Sequence, residues 1–387
     1  MSHRLLLDAG KKAVATIGRR AYTSGTLAGW GSGSGSRLGL ERPVKLAVFD
    51  SMAHETPFLA AAEAEFDGLV SVTRFKTRLD AQTAGLAHGF DAASVFVNDE
   101  VNAAVVAGLR DCGVRHVAVR AAGFDHVDVA ACTAGGLVAT RVPRYSPYAV
   151  AEFAMCLLLA ANRRVVPAVA RVRQGNFGLA GLVGFDLRGK TVGVVGTGNI
   201  GRAFVGIAQG FGCRVLCADP HPDAALAAAG AEYVALDRLF REAHAVSLHC
   251  PLTPASVHLV NADSLASMRD GVVIVNTSRG ALIDTTALID AIKCRKVGAA
   301  GIDVYEYEAG MFFRDLSANE FIADNEFSRL LSFNNVIVTG HQGFLTTEAL
   351  TKITNTMLLN VYAFRDIPIP SQADKDLLAE LAENKIC

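Results

Sequence analysis

Three polar side chains of complementary chemistry follow three apolar runs in the C-terminal half of the chain. Residues 272–275 run into Asn276-Thr277-Ser278-Arg279-Gly280. Residues 299–304, which include Asp303, run into Tyr305-Glu306-Tyr307-Glu308, and residues 336–339 run into Gly340-His341-Gln342. A guanidinium, a carboxylate and an imidazole together suit the reduction of a ketone that sits beside a carboxylate. The planar fork of Arg279 grips a carboxylate through two hydrogen bonds and polarises a neighbouring carbonyl. The His341 imidazole exchanges protons near neutral pH. A carboxylate beside it favours the protonated ring and fixes its tautomer, the role for Glu308. Glu306 competes with Glu308 for that role on chemistry alone. One histidine among ten would mean little by itself. The weight lies in three matching groups, each just past a strand of one parallel sheet, where such sheets present their ligand edge.

The same sheet carries a nucleotide signature. Thr191-Val192-Gly193-Val194-Val195 has the pattern of a buried strand and leads directly into Gly196-Thr197-Gly198-Asn199-Ile200-Gly201. A helical pattern runs from 200 to 211. Gly196 makes the tight turn, Gly198 lets the pyrophosphate approach, and Gly201 lets helix and strand pack closely. The helix N-terminus then offers free N–H groups and its positive dipole end to the phosphates. Asp219 closes the next strand, 18 residues after Gly201, close to the ~20 of a dinucleotide site. A carboxylate there accepts bonds from ribose hydroxyls and repels a 2′-phosphate. Pro220-His221-Pro222 brings no arginine to hold one. The cofactor expected is NAD, bound as NADH for reduction.

The elements that must position these groups alternate between strand and helix. Strands are expected at 45–49, 71–75, 94–97, 116–120 and 137–142, with helices near 57–66, 80–88 and 101–111. A long helix is expected over 148–174, entered through Pro143-Arg144-Tyr145-Ser146-Pro147, and a second strand–helix series fills 191–338. The fold class is therefore α/β: two Rossmann-like lobes, parallel sheets flanked by helices, with a cleft between them. The tail after His341 is helical over 347–364, ends in a proline-containing stretch at 367–370, and is expected to return to the first lobe. The expected domains are 44–146 plus 343–387 for substrate, and 147–342 for NAD.

Composition excludes other classes. Net charge is −1 and acids and bases are interspersed, so no nucleic-acid partner and no membrane surface are expected. The longest apolar stretch, 149–161, is too short to span a bilayer. The eight cysteines form no CxxC, so no metal site is expected and free thiols in a reducing compartment are. Residues 1–43 stand apart. Over 1–40, Arg4, Lys11, Lys12, Arg19, Arg20 and Arg37 face one acid, Asp8, and a pure Gly/Ser run occupies 31–36. That composition is expected of a chloroplast or mitochondrial transit peptide; without an address the protein would be cytoplasmic.

Taken together, these residues resemble the D-isomer-specific 2-hydroxyacid dehydrogenases over about 44–365. The motifs are the glycine loop, Val275-Asn276-Thr277-Ser278-Arg279-Gly280-Ala281-Leu282-Ile283-Asp284, Asp303-Val304-Tyr305-Glu306-Tyr307-Glu308 and Thr339-Gly340-His341-Gln342. Within the family, Val142-Pro143-Arg144-Tyr145, Phe312-Phe313 and the absence of proline after Glu308 are similar to the fermentative D-lactate branch. The resemblance implies that Arg279 binds substrate, Glu308 supports the acid–base histidine and His341 transfers the proton, which selects Glu308 over Glu306. It implies substrate contacts from Ala122, Gly123 and Tyr145. It implies cofactor contacts from Asn199, Ile200, Asp219, Cys250, Pro251, Thr277, Ser278 and Asp303, beside Gly196, Gly198 and Gly201. It also implies a homodimer or homotetramer acting on a small 2-keto or 2-hydroxy acid, with pyruvate as the expected substrate. The alternative within the family is a hydroxypyruvate or glyoxylate reductase; a phosphoglycerate enzyme often carries a further C-terminal domain, and only 46 residues follow His341. The alternative from another class is a corepressor-like scaffold that senses NADH, against which the basic leader and the lactate-branch motifs argue.

Overall fold

The computed structural model describes residues 42–66, 68–318, 321–363 and 384–387. All but the last two residues of the expected leader, and the stretch at 367–370, lie outside these. The chain divides into two compact units, Met1–Tyr145 with Leu350–Cys387, and Ser146–Ala349. The return crossing thus falls inside a helix and not at residue 343. Gly343 is held by its N–H to Asp303 Oδ2 at 2.8 Å, which keeps it with the second unit.

The first unit is built on a five-stranded sheet of β1 (Val44–Val48), β2 (Val70–Arg74), β3 (Ala92–Val95), β4 (His116–Val119) and β5 (Val138–Thr140). The order is β2-β1-β3-β4-β5 and every pairing is parallel. Helices α1 (Thr56–Glu65), α2 (Ala103–Asp111) and α3 (Val129–Gly135) connect the strands. Strands β3 and β4 are buried at every residue, as expected of a sheet covered on both faces. The helix expected over 80–88 shrinks to a 3₁₀ turn at Ala84–Ala87. Asp80 Oδ1 accepts from the N–H groups of Gln82 and Thr83, an Asx turn that competes with helix initiation. Residues 384–387 return to this sheet, with Lys385 bridged antiparallel to Thr140.

His116 lies in this sheet, 5% exposed, with its Nε2 2.8 Å from Thr140 Oγ1. Burial penalises its charged form and pushes its pKa down to about 3. The unfolded chain therefore takes up the proton first, so this group's contribution is complete above about pH 6.5 and is lost as pH falls toward 3. The loss is on the order of 3 kcal/mol at pH 4. Asp99, pushed up to about 6 by burial, works in the opposite direction, so the effect is read by difference. The melting temperature of His116→Gln minus that of wild type is expected to rise by a few degrees between pH 7 and pH 4. A gap that does not change with pH would contradict this.

The second unit holds a seven-stranded parallel sheet: β6 (Thr191–Val195), β7 (Arg214–Ala218), β8 (Glu232–Tyr233), β9 (Ala245–Leu248), β10 (Val272–Asn276), β11 (Val297–Ile302) and β12 (Val336–Val338). Its order is β12-β11-β10-β9-β6-β7-β8. The connection reverses between β6 and β9, the switch point where open α/β sheets bind ligands. The helices are α4 (Pro147–Asn162), α5 (Val165–Arg173), α6 (Asn199–Gly210), α7 (Ala224–Ala228), α8 (Leu236–Glu242), α9 (Ala262–Ser267), α10 (Thr285–Lys293) and α11 (Asn325–Leu331). The final helix, α12 (Thr347–Ala363), leads back into the first unit. Two apolar clusters fill the second unit, one around Phe240, Ile274 and Ile302, the other around Leu158, Val194 and Phe204.

The single helix expected over 148–174 is two helices bent by 59°. Pro167 cannot donate to the carbonyl of residue 163, and its ring would collide with it in a continuous helix. Arg164 takes a left-handed backbone (φ 54°) and donates from Nη2 to the Gly298 carbonyl at 2.9 Å. Among the described residues no single helix is long and apolar enough to cross a membrane, and no cluster of His, Cys, Asp and Glu could hold a metal ion.

Candidate active site

Strands β10, β11 and β12 are neighbours in the sheet and run parallel, so their carboxyl ends share one edge. Arg279, Glu308 and His341 follow these three strands in turn. His341 Nδ1 lies 2.8 Å from Glu308 Oε1, and both side chains are about four-fifths buried (17% and 20% exposed). The other carboxylate oxygen, Glu308 Oε2, accepts from the Tyr305 N–H at 2.9 Å, which fixes the carboxylate in place. With Nδ1 committed to Glu308, Nε2 is the nitrogen left to exchange a proton with a substrate. The Phe313 ring, 5.5 Å away between centroids, covers one side of the imidazole. Glu306 faces elsewhere: its Oε1 is 2.5 Å from His258 Nε2, and its Oε2 accepts from the Thr285 hydroxyl at 3.0 Å. Geometry thus separates two carboxylates that chemistry alone did not.

Arg279 begins the 3₁₀ turn Gly280–Leu282. Its Nη1 donates to the Ser278 carbonyl at 2.9 Å, and Asn276 Nδ2 donates to the Arg279 carbonyl at 2.8 Å. Gly280 is pressed against the Glu-bearing segment: a Cβ there would sit 2.0 Å from the Tyr305 carbonyl carbon. The backbone that carries Arg279 therefore touches the backbone that leads to Glu308, a closeness no spacing in the sequence reveals.

Asp303 joins the third segment. It is 1% exposed. Its Oδ1 accepts from Thr339 Oγ1 at 2.5 Å and Gln342 N–H at 2.9 Å, and its Oδ2 accepts from Gly343 N–H. Its carbonyl accepts from the His341 N–H at 2.7 Å. Burial pushes the Asp303 carboxyl up from its ordinary range, opposed by these donors. The resemblance implies a cofactor contact for Asp303; in the structure the same side chain braces the turn on which His341 sits. That turn needs bracing, because His341 has a left-handed backbone with φ 56°.

The glycine loop fits a dinucleotide. A Cβ on Gly196 would lie 2.6 Å from the Cys250 nitrogen, and one on Gly201 would lie 2.0 Å from the Gly196 carbonyl oxygen. A Cβ on Gly198 meets nothing within 4 Å, so this glycine fronts open space at the N-terminus of α6. No side chain caps that N-terminus, where Asn199 and Ile200 present their N–H groups. Asp219 Oδ2 accepts from the Thr197 N–H at 2.6 Å and from its hydroxyl, and Oδ1 accepts from the His221 N–H at 2.8 Å. Burial pushes the Asp219 carboxyl up, but these donors prevail and leave it below the usual carboxylate range. Tyr233, which the sequence did not single out, donates to Thr197 Oγ1 at 2.9 Å and completes the support.

Cys250-Pro251 backs the loop, and the Cys250 carbonyl accepts from Ser278 Oγ at 2.7 Å. Burial pushes the Cys250 thiol up to about 11, so it is protonated at neutral pH. The Thr277 hydroxyl oxygen is buried with no partner among the described residues, an acceptor and donor site ready for a ligand amide or hydroxyl. In the first unit, Ala122 and Gly123 follow β4, and the Ala122 carbonyl accepts from Arg141 Nη1 at 2.9 Å. Tyr145 is the last residue of that unit's first segment.

Gly201→Ala is expected to weaken NADH binding, because the methyl group must push the Gly196 carbonyl out of the loop. Overpacking of this kind costs about 1–3 kcal/mol, roughly five- to 150-fold in Kd. Titration of NADH fluorescence against a variant of unchanged circular dichroism reads the effect; an unaltered Kd would contradict it.

Comparison with known proteins identifies the family. Residues 155–343 match the family described as D-isomer specific 2-hydroxyacid dehydrogenase, NAD binding domain. The chain is 46% identical over 318 residues to the D-lactate dehydrogenase of Escherichia coli, covering 82% of this chain and 96% of that one. It is 45% identical over 322 residues to a 2-hydroxyacid dehydrogenase homolog of Haemophilus influenzae, covering 83% and 96%. The solved structure of the pyruvate reductase of Chlamydomonas reinhardtii superposes with a TM-score of 0.79 at 42% identity, covering 85% of this chain and 98% of that one. With an NAD-binding sheet and a histidine–carboxylate pair at its ligand edge, the chain belongs to the D-isomer-specific 2-hydroxyacid dehydrogenases.

Proposed function

We propose that the protein reduces pyruvate to D-lactate with NADH. The observation that carries this reading is the 2.8 Å contact between His341 and Glu308, one strand removed from Arg279. When bound, NADH supplies the hydride for the ketone carbon. Arg279 holds the substrate carboxylate and stabilises the negative charge that develops on the ketone oxygen. His341 delivers its Nε2 proton to that oxygen while Glu308 balances the imidazolium. The ionised Asp219 selects NADH by repelling the 2′-phosphate of NADPH. Relatives that act as a D-lactate dehydrogenase and a pyruvate reductase support pyruvate as the substrate.

A steady-state assay with pyruvate, hydroxypyruvate and glyoxylate, each with NADH and NADPH, tests the proposal. Pyruvate with NADH is expected to give the highest kcat/KM. A higher value with hydroxypyruvate or glyoxylate would overturn the substrate. Tight NADH binding without turnover of any of the three would overturn the enzymatic reading.

A further inference from the structure

Glu306 and His258 take no part in the chemistry above, yet they sit where the segments that carry it meet. The Glu306 side chain is 10% exposed, and its carboxylate bridges two neighbours. Oε1 lies 2.5 Å from His258 Nε2, while Oε2 accepts from the Thr285 hydroxyl at 3.0 Å and the Thr285 N–H at 3.3 Å. Thr285 is buried and opens α10, just past the turn that carries Arg279. His258 is tied to the same turn: its N–H donates to the Ala281 carbonyl at 2.8 Å, and the Val260 N–H donates to the Leu282 carbonyl at 3.0 Å. The Asp284 N–H returns to the Val260 carbonyl at 2.9 Å, so residues 258–260 run alongside 281–284. On the other side, Gly280 presses on the Tyr305–Glu306 peptide, where a Cβ would lie 2.4 Å from the Glu306 nitrogen. Residues 305–308 themselves close as a turn, with the Glu308 N–H donating to the Tyr305 carbonyl at 3.2 Å and Glu308 Oε2 accepting from the Tyr305 N–H. A shift of Glu306 therefore carries Glu308 with it.

We propose that Glu306, clamped by His258 and Thr285, is a positioning residue that sets the separation of Arg279 from the Glu308–His341 pair. This rests on the proposed reduction of a 2-keto acid, in which Arg279 grips the carboxylate while His341 protonates the adjacent ketone oxygen. In so small a molecule the two atoms addressed are fixed relative to each other, so the substrate cannot absorb an error in the spacing of the groups that meet them. A side chain that bonds both flanks of the Arg279 turn from within the Glu308 turn holds that spacing. Its bonds are directional and shielded from water, which an apolar side chain of the same size would not supply. A carboxylate buried this deeply needs its partners, so removing it also leaves the Thr285 N–H and hydroxyl and the His258 ring without it.

The test is steady-state reduction by the full chain, well below its melting temperature, of whichever of pyruvate, hydroxypyruvate and glyoxylate the wild type turns over best. Glu306→Ala of unchanged circular dichroism is expected to lower kcat by about ten- to a hundredfold. KM for the keto acid should change by less than about threefold and NADH affinity by less than about twofold, because Arg279 still meets the carboxylate while the proton donor is misplaced. Glu306→Gln is expected to recover most of the loss, since an amide of the same shape keeps an acceptor for Thr285. In an Arg279→Leu background, Glu306→Ala is expected to cost less than about twofold, there being no spacing left to set. A purely structural defect would instead multiply through both backgrounds. If Glu306→Ala does not fold, His258→Ala, at a side chain 40% exposed, takes its place. It is expected to lower kcat by at least about threefold, and His258→Gln to restore it. Wild-type kcat in the folded alanine variant, or an equal loss with and without Arg279, would overturn this inference and leave the proposed function standing. A wild-type protein inert toward all three keto acids would overturn the proposed function, and this inference with it.

Discussion

His341→Ala is expected to lower kcat for pyruvate reduction by about two to four orders of magnitude while leaving NADH affinity within about twofold of wild type. The effect is large because the proposed mechanism draws its proton from this imidazole. Its Nδ1 is held by Glu308 at 2.8 Å, so the ring cannot turn to present another nitrogen. Glu308→Gln keeps a hydrogen-bond acceptor but removes the charge that balances the imidazolium. It should therefore cost less than His341→Ala, and the double variant should be scarcely worse than His341→Ala alone. Turnover of pyruvate by His341→Ala at the wild-type rate would end the assignment. Additive losses in the double variant would separate Glu308 from the proton transfer.

The second large effect is expected from Arg279→Leu. A substrate carboxylate taken out of water without its cation loses about 2–5 kcal/mol, which is roughly thirty- to several-thousandfold in kcat/KM. Both parameters should worsen, KM through lost carboxylate binding and kcat through lost stabilisation of the oxyanion. Arg279→Lys should recover only part of the loss, because an ammonium supplies the charge but not the two parallel donors. A rise in KM with unchanged kcat would confine Arg279 to binding. Unchanged kinetics would remove it from the site.

Much of this arrangement was legible before any coordinates, because it rests on short-range rules. The step from the β6 pattern into the glycine loop and on to Asp219 follows from backbone geometry at three glycines: Gly196 and Gly201 have the tight contacts that exclude a Cβ, and Gly198 fronts open space. The alternation of apolar runs with helical patterns gave both parallel sheets. The illegible parts depend on contacts between distant segments. Glu306 and Glu308 differ by two residues, and only the placement of His258 and Thr285 draws Glu306 away. That Asp303 clamps Thr339, Gln342 and Gly343 depends on the pairing of β11 with β12. The break at Arg163-Arg164 was written in Pro167, three residues into the following helix, where a helical pattern of apolar residues masks a missing N–H.

The left-handed backbone at His341 means that folding and turnover make opposite demands on one position. A residue without a Cβ would relax there, and exchanging the histidine for glycine is expected to recover about 1 kcal/mol of conformational strain. His341→Gly should then produce a protein that is inert toward pyruvate yet melts no lower than its parent. Thermal screening of variant libraries would accordingly favour inactive clones at this codon, so activity must be scored alongside heat resistance when the enzyme is improved.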